Sequence, residues 1–145
     1  MGSQPSTITS LHWQMETLAL VNWGAYDGGP HTIRFATSDG GTLTLISGLS
    51  ATGKSTALDA LIVLLMSARV PLNRASSSGE KDGRRRDLYT YSRGYLDTQS
   101  VDGAERAAYL RGTDPETGAP QATWSYIGLT LVNAFGEPLT VALLT

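Results

Sequence analysis

Residues 48–56 place two glycines, a lysine and several hydroxyl side chains at a spacing that suits phosphate binding. Gly48 and Gly53 are separated by four residues, and Lys54 and Ser55 follow directly, which is the G-x-x-x-x-G-K-[ST] pattern of a P-loop. Glycine permits backbone angles that turn N–H groups toward phosphate oxygens, and a helix starting at the lysine adds its positive dipole end. The sequence therefore predicts a phosphate site. Its residues are Gly48, Leu49, Ser50, Ala51, Thr52, Gly53, Lys54, Ser55 and Thr56.

The ammonium and hydroxyl groups of this loop have different predicted roles. Lys54 is expected to supply a positive charge to the β- and γ-phosphates of a nucleotide, and Ser55 to place its hydroxyl oxygen on a magnesium ion. Thr56 is expected to cap the following helix and contact the nearer phosphates. The predicted ligands are therefore ATP and Mg2+, with Lys54 as the only catalytic candidate.

The segments on either side of the loop predict the strand and the helix that a P-loop needs. The apolar run TLTLIS, residues 42–47, leads into the loop and predicts a β-strand. A helix is predicted over residues 55–69, which Val70 and Pro71 end. Its apolar side chains recur at helical spacing: Leu58, Leu61, Ile62, Leu65 and Met66. This context favours a P-loop over a glycine-rich turn with an incidental lysine.

Two pairs of β-prone segments lie at the ends of the chain. Residues 18–23 (LALVNW) and 31–36 (HTIRFA) are separated by DGGP and predict two antiparallel strands. Residues 122–145 predict two more strands joined by NAFGEP. Residues 1–14 are rich in serine and threonine and predict a poorly ordered tail. We therefore expect one domain over residues 15–145.

The segment between the helix and the last two strands contains four patterns. Residues 72–87 are polar and dense in charge, which predicts a loop or an insertion. Residues 89–100 carry alternating aromatics that can pair as a strand. Residues 101–112 fit a short helix or a strand, and residues 113–121 predict a turn.

The composition limits the classes of function. The chain has 145 residues, of which 41% are hydrophobic and 17% charged, and a net charge of −2, as expected for one globular domain. Cysteine is absent and the only histidines are His12 and His31, which excludes disulfides, thiol nucleophiles and Cys/His zinc sites. His31 is predicted as a surface strand residue. The longest apolar run, residues 60–66, is far shorter than the roughly 20 residues that span a bilayer, so we expect a cytoplasmic protein.

One basic patch interrupts an otherwise acidic chain. Its members are Lys81, Arg84, Arg85, Arg86 and Arg93. Neutralisation of phosphate charge makes DNA one predicted partner of this patch. A solvated loop, or an arginine turned toward ATP, explains the same residues. Tyr89, Tyr91 and Tyr95 add little to the DNA hypothesis because they alternate like a strand.

Four other residues near the loop have a chemical and a structural interpretation. Trp23 and Tyr26 follow the first strand, where core packing is favoured over a wall for the nucleotide. Asn22 is favoured as a turn residue over a phosphate contact. Asp59 lies away from the loop if the helix starts at Lys54, which favours packing or a salt bridge over a magnesium ligand.

Three quoted segments together resemble a known family. LALVNWGAYDG, HTIRF and LISGLSATGKSTALDALIVLL are similar to the opening of the ABC-type heads of SMC ATPases, which place the loop after a small antiparallel region. The pair of Asn22 and Trp23 and the SGLSATGKST loop are most similar to the MukB, MksB and JetC branch, above all to the JetC family of the Wadjet plasmid-defence system. The resemblance covers residues 16–70 and includes the paired strands of residues 124–144.

The resemblance implies a fold class and a set of partners. The fold is an α/β P-loop NTPase of the ABC or SMC head type, with antiparallel strands flanking the P-loop strand and helix in an N-terminal lobe. The implied ATPase dimerises through a second head and joins a kleisin and winged-helix (KITE-type) subunits. It acts on DNA and presents foreign circular DNA to a topoisomerase-primase-type nuclease. A separate C-terminal lobe provides the catalytic glutamate, so we expect little turnover from residues 1–145 alone.

The same residues leave other interpretations open. A MukB- or MksB-type condensin, which organises the chromosome, shares every motif discussed above. A stand-alone P-loop kinase needs an arginine-rich lid, for which GRRRD can serve, and an acidic base that the sequence does not show. A non-enzymatic module that keeps nucleotide for stability is a third possibility. Ala51 replaces the inner glycine of the G-x-x-G-x-G form, which can reduce nucleotide affinity.

Overall fold

The computed structural model describes residues 12–37, 43–50, 52–66, 72, 87–101, 104–114 and 116–145. Eight elements follow one another along this part of the chain. They are β1 (Gln14–Val21), β2 (His31–Arg34), α1 (Lys54–Leu65), α2 (Leu88–Arg93), β3 (Tyr95–Val101), β4 (Ala104–Tyr109), β5 (Tyr126–Val132) and β6 (Pro138–Leu144). The fold is thus a mixed α/β arrangement.

Four strands form one antiparallel sheet in the order β2-β1-β5-β6. The hairpins β1–β2 and β5–β6 confirm the strand pairs predicted around DGGP and NAFGEP. Leu18 lies opposite Leu129, and Leu20 lies opposite Ile127, so these four side chains share one face of the sheet. All four are fully buried, and each contributes about 1.5–3 kcal/mol of transfer free energy on folding.

Helix α1 covers this apolar face of the sheet. Ala57 and Ala60 are buried in the same cluster as Leu18, Leu20 and Ile127, and their small side chains permit a close approach of helix and sheet. A helix that starts at Lys54 confirms the predicted element, but it ends at Leu65 and not at residue 69, because the backbone of Met66 is extended. Three of the apolar side chains that predicted it are about half exposed: Leu58, Leu65 and Met66. No helix in the part of the chain that the structure describes has the length and apolar character to cross a membrane.

The segment that leads into the loop differs from its prediction. Residues 43–49 form no strand, so the predicted P-loop strand TLTLIS is wrong for the part of it that the structure describes. The side chains of Leu43, Leu45 and Leu49 are 94%, 84% and 81% exposed. A β-strand needs a neighbour for its N–H and C=O groups. The edge strands of the sheet, β2 and β6, do not pair with this segment. An apolar pattern in the sequence does not show whether a pairing strand is present.

The alternating tyrosines also differ from their prediction. Tyr89 and Tyr91 lie on helix α2, and only Tyr95 belongs to a strand. A capping box starts this helix: the Asp87 carboxylate accepts a hydrogen bond from the Thr90 backbone N–H, and the Thr90 hydroxyl accepts one from the Asp87 N–H. This local capping outweighs the two-residue alternation of the aromatic side chains.

Strands β3 and β4 form a separate two-stranded antiparallel ribbon. Residues 101–112, for which the sequence allowed a helix or a strand, therefore contribute a strand. The ribbon joins the rest of the fold where the N–H of Leu110 donates to the Gly94 carbonyl and the N–H of Arg111 donates to the Arg93 carbonyl. A bridge between Thr113 and Pro120 closes the predicted turn, of which the structure describes residues 113–114 and 116–121.

Candidate phosphate-binding site

The predicted phosphate loop runs directly into the first turn of α1. The structure describes all of its residues except Ala51, and the helix starts at Lys54 as the motif requires. Gly53 is the N-cap and has φ 87°, in the left-handed region that favours glycine. The conformation therefore favours glycine here, and a Cβ atom at Gly53 would lie 3.1 Å from the Tyr26 ring, a contact that the ring would have to relieve by a small shift.

The first turn of α1 presents N–H groups without intrahelical partners. The first helical hydrogen bond runs from the Ala57 N–H to the Gly53 carbonyl, at 2.9 Å. The N–H groups of Lys54, Ser55 and Thr56 precede it, and no acceptor among the described residues pairs with them. No side chain caps the helix either. These N–H groups therefore form a partly positive surface suited to an anion.

Lys54 folds back over the loop. Its ammonium group donates to the carbonyl oxygen of Gly48 at 2.8 Å and to that of Leu49. The Thr52 hydroxyl lies 3.5 Å from the ammonium nitrogen and donates to the same Leu49 carbonyl at 2.9 Å. The charge is thus held at the loop, where a bound phosphate can replace one or more of the carbonyl acceptors.

Two aromatic side chains from the turn after β1 hold the start of the helix. The Tyr26 hydroxyl donates to the Gly53 carbonyl at 3.2 Å, and the Trp23 indole Nε1 donates to the Thr56 carbonyl at 3.0 Å. Trp23 is fully buried and Tyr26 packs against the core, which confirms the packing role predicted for both. The sequence did not reveal their hydrogen bonds, since both acceptors are backbone carbonyls of a segment that lies about 30 residues further along the chain.

Asp59 has a buried partner from α2. The Tyr91 hydroxyl donates to the Asp59 carboxylate, and both residues are buried. The Tyr91 ring stacks on Trp23 with a centroid distance of 4.5 Å and an interplanar angle of 11°. The packing role predicted for Asp59 is confirmed, with a hydroxyl as one of its partners.

The turn after β1 depends on Asn22. This residue has φ 51°, and its side-chain oxygen accepts a hydrogen bond from the Gly28 N–H, which confirms the predicted turn role. His31 is an exposed residue of β2, also as predicted, and its ring packs edge-on against Tyr26. Burial raises the pKa of the Tyr26 hydroxyl above its ordinary value, so the hydroxyl stays protonated at neutral pH and donates.

Arg111 is a central residue of the structure for which the sequence showed no signal. Its guanidinium donates to four backbone carbonyls, those of Asn22, Gly24, Tyr91 and Ser92. It also forms an ion pair with Asp27 at 2.7 Å. The side chain therefore joins the turn after β1 to the end of α2 and to the ribbon. A lone arginine in AAYLRG has no spacing that predicts such partners.

Arg93 is the one member of the predicted basic patch that the structure describes. Its guanidinium donates to the Gly112 carbonyl at 2.9 Å and to the Tyr89 hydroxyl, and lies 4.3 Å from the centre of the Tyr109 ring. These contacts give Arg93 a role inside the fold. The other members lie outside the described residues: Lys81, Arg84, Arg85 and Arg86. A DNA contact by this patch stays a prediction.

The side chains of the site are compatible with magnesium. Ser55 lies next to Lys54 on the first turn of α1, and its hydroxyl is a hard oxygen donor of the kind that Mg2+ accepts together with phosphate oxygens. Among the described residues, no cluster of three or more His, Asp or Glu side chains forms a separate metal site. By its position directly after Lys54, Ser55 is the residue that would hold the ion.

Comparison with known proteins gives one match, to the part of the chain that carries the loop. The family model of the P-loop containing region of AAA domain matches residues 15–79, which include β1, β2, the loop and α1. The chain thus carries a P-loop region of the NTPase type, for which nucleotide binding is the expected property. Neither the curated proteins nor the solved structures give a match. The family match does not distinguish the MukB, MksB and JetC branch.

Proposed function

We propose that this chain binds ATP and Mg2+ as the N-terminal lobe of an SMC-like ATPase head. The main support is the geometry at the start of α1. There, Gly53 in a left-handed conformation precedes three N–H groups without a partner among the described residues, and the Lys54 ammonium lies over the same loop. An arrangement of this kind provides both directed donors and a fixed positive charge for a phosphate chain.

Lys54, Ser55 and Thr56 each have a proposed part in binding. The N–H groups of Lys54, Ser55 and Thr56 donate to phosphate oxygens. The Lys54 ammonium exchanges carbonyl acceptors of the loop for the more basic oxygens of the β- and γ-phosphates. The Ser55 hydroxyl would hold the metal. Mg2+, when bound, neutralises charge that develops between these phosphates.

The finer assignment rests on the resemblance described above. The pair of Asn22 and Trp23 and the SGLSATGKST loop are most similar to those of the MukB, MksB and JetC branch, and this resemblance supports a role in acting on DNA. The JetC-like assignment proposes a motor subunit of a Wadjet-type anti-plasmid complex in the cytoplasm. Its proposed partners are a second head, a kleisin, winged-helix subunits and a nuclease. A gene for a topoisomerase-primase-type nuclease beside this one would favour defence over chromosome condensation.

The deciding experiment is a calorimetric titration of the 145-residue chain with ATP-γ-S and magnesium. We expect Lys54→Ala to weaken binding by at least about tenfold, because it removes charge-assisted hydrogen bonds to phosphate. The matched control is Arg34→Ala, which removes one positive charge from the exposed end of β2 and should bind like the unchanged chain.

Three outcomes separate the candidate functions. Weak binding that strengthens when the C-terminal lobe of the same ATPase is added supports the split head. Tight binding with turnover by the 145 residues alone contradicts the split head and favours a stand-alone kinase. Equal binding by the unchanged chain and by Lys54→Ala contradicts the phosphate site itself.

A further inference from the structure

The Gly53 carbonyl receives two hydrogen bonds from different parts of the fold. One comes from the Ala57 N–H at 2.9 Å, within α1. The other comes from the Tyr26 hydroxyl at 3.2 Å, across 27 residues of sequence. The Tyr26 ring also lies beside the Gly53 α-carbon, where a Cβ atom would be 3.1 Å from the ring. Tyr26 therefore both bonds and packs against the last loop residue before the helix.

The orientation of this carbonyl determines the direction of an N–H group in the phosphate site. The Gly53 C=O and the Lys54 N–H belong to one planar trans peptide unit, so they point in opposite directions. A rotation of the carbonyl away from Tyr26 would turn the Lys54 N–H by the same angle. Because hydrogen bonds weaken steeply as their geometry departs from linearity, even a modest rotation reduces the binding of phosphate.

Tyr26 is itself held in place by the turn that carries it. Its N–H donates to the Trp23 carbonyl at 2.9 Å, and the Trp23 N–H donates to the Tyr26 carbonyl at 3.0 Å. The His31 ring packs on Tyr26 with a centroid distance of 5.4 Å. Trp23 is fully buried in the core, and its indole Nε1 donates to the Thr56 carbonyl in the first turn of α1. The hydroxyl thus comes from a rigid part of the fold.

We propose that Tyr26 is a positioning residue of the phosphate site. It touches no nucleotide in this role. It acts through the Gly53–Lys54 peptide, which it keeps in the orientation that directs the Lys54 N–H at phosphate. The inference rests on the proposed nucleotide-binding function and adds a residue from outside the loop motif to it.

The test compares Tyr26→Phe with the unchanged chain in titrations with magnesium and either ATP-γ-S or inorganic tripolyphosphate. The phenylalanine keeps the ring contact and removes only the hydroxyl donor. We expect both ligands to bind about fivefold more weakly, the size of one ordinary hydrogen bond. An equal loss for tripolyphosphate shows that the effect concerns the phosphates. Tyr126→Phe, which removes a hydroxyl from a residue of β5, should leave both affinities unchanged.

A melting measurement without ligand separates positioning from simple support of the fold. If Tyr26→Phe lowers the melting temperature but leaves the affinity for tripolyphosphate unchanged, Tyr26 only supports the fold and the proposal is overturned. The proposal is also overturned if Tyr26→Phe changes neither the melting temperature nor the affinity. If the unchanged chain binds neither ligand, the proposed function fails and the role of Tyr26 with it. If the unchanged chain binds, Lys54→Ala does not and Tyr26→Phe binds normally, only the positioning role is overturned.

Discussion

Gly53 meets two requirements that other residue types do not satisfy together. Its φ of 87° lies in a region that costs residues with a Cβ about 1–2 kcal/mol. The Tyr26 ring occupies the space next to its α-carbon. The residue thus determines both the start of α1 and the contact that holds the loop.

We expect Gly53→Ala to destabilise the fold by about 1–3 kcal/mol and to weaken nucleotide binding by at least about tenfold. Chemical denaturation and calorimetry measure the two effects. Gly118→Ala is the matched control, since Gly118 has φ 70° but no atom within 4 Å of an added Cβ. It should show the conformational cost alone, with normal nucleotide binding. Normal binding by Gly53→Ala would contradict the importance of this contact.

Asp114 makes the stability of the fold depend on pH, through hydrogen bonds in the turn that follows the ribbon. Its pKa is lowered, first by the hydrogen bond from the Thr117 backbone and then by further hydrogen bonds, including one from the Glu116 N–H. A carboxylate whose pKa is lowered on folding stabilises the fold above its unfolded pKa of about 3.9. That contribution is lost as the pH falls through the lower, folded value.

We therefore expect Asp114→Ala to lower the melting temperature near about pH 7 and to have a smaller effect near about pH 3. Thermal melts of the two chains at both pH values measure the difference. Glu116→Ala removes a carboxylate from the same turn and controls for net charge. If the difference in melting temperature between Asp114→Ala and the unchanged chain grows as the pH falls, the role assigned to the Asp114 carboxylate is contradicted.

At the scale of elements, one side of α1 is held at regular intervals. Gly53, Thr56 and Asp59 lie three residues apart, and each accepts a hydrogen bond from an aromatic side chain outside the helix. Residues spaced by three lie on neighbouring positions of one helix face. The turn after β1 and helix α2 thus fix the position of α1 along the sheet and its rotation about its own axis.

The buried pair of Tyr91 and Asp59 makes this arrangement measurable. We expect Tyr91→Phe and Asp59→Ala each to destabilise the fold by about 1–3 kcal/mol, because each leaves a buried polar group with one partner fewer. A double-mutant cycle by chemical denaturation should give a coupling energy of about 1 kcal/mol or more. Tyr126→Phe, which removes a hydroxyl from a residue of β5, is the control and should cost less than about 0.5 kcal/mol. Additive effects would contradict the hydrogen bond.

At the scale of the whole molecule, Arg111 connects three parts of the fold. The side chain is largely buried and donates to the turn after β1 and to the end of α2, while its backbone continues from β4. A two-stranded ribbon is at best marginally stable by itself. The β3–β4 ribbon therefore depends on this attachment to the sheet and helices.

We expect Arg111→Lys to destabilise the fold by about 2 kcal/mol, because a single ammonium group cannot reach the carbonyls that the planar guanidinium contacts. Amide hydrogen exchange should speed up most in β3 and β4 and least in the paired centre of β1 and β5. Arg34→Lys, on the exposed edge strand, is the control and should leave exchange unchanged. Equal acceleration in both sheets would show that the ribbon and the sheet unfold as one unit.

Sequence patterns predicted the elements whose signals are local. The two hairpins have turn residues between alternating strands, and α1 combines helical spacing with a glycine at its N-cap. The strand predictions for residues 43–49 and for the tyrosines of α2 were wrong. A strand depends on a pairing partner that lies far away in the sequence, and the start of α2 depends on a capping pair that outweighs the aromatic alternation.

The sequence predicts the phosphate loop because its residue types follow one another in the chain. Its supports were not predicted, since Trp23 and Tyr26 bond to it from the turn after β1. Tyr91 and Arg111 act one step further away, through Asp59 of α1 and through the carbonyls of that turn. Hydrogen bonds over such sequence distances leave no periodic pattern. Only the folded arrangement shows that these residues meet.

The burial of Trp23 gives the molecule an optical reporter of its own. Trp13 and Trp124 are exposed, whereas Trp23 is enclosed, stacked on Tyr91 and bonded to the first turn of α1. A water-soluble quencher such as acrylamide will therefore suppress the emission of the two exposed indoles and spare the third. The remaining blue-shifted fluorescence comes from a ring attached to the phosphate loop's own helix, so occupancy of the loop can be followed by light without a label.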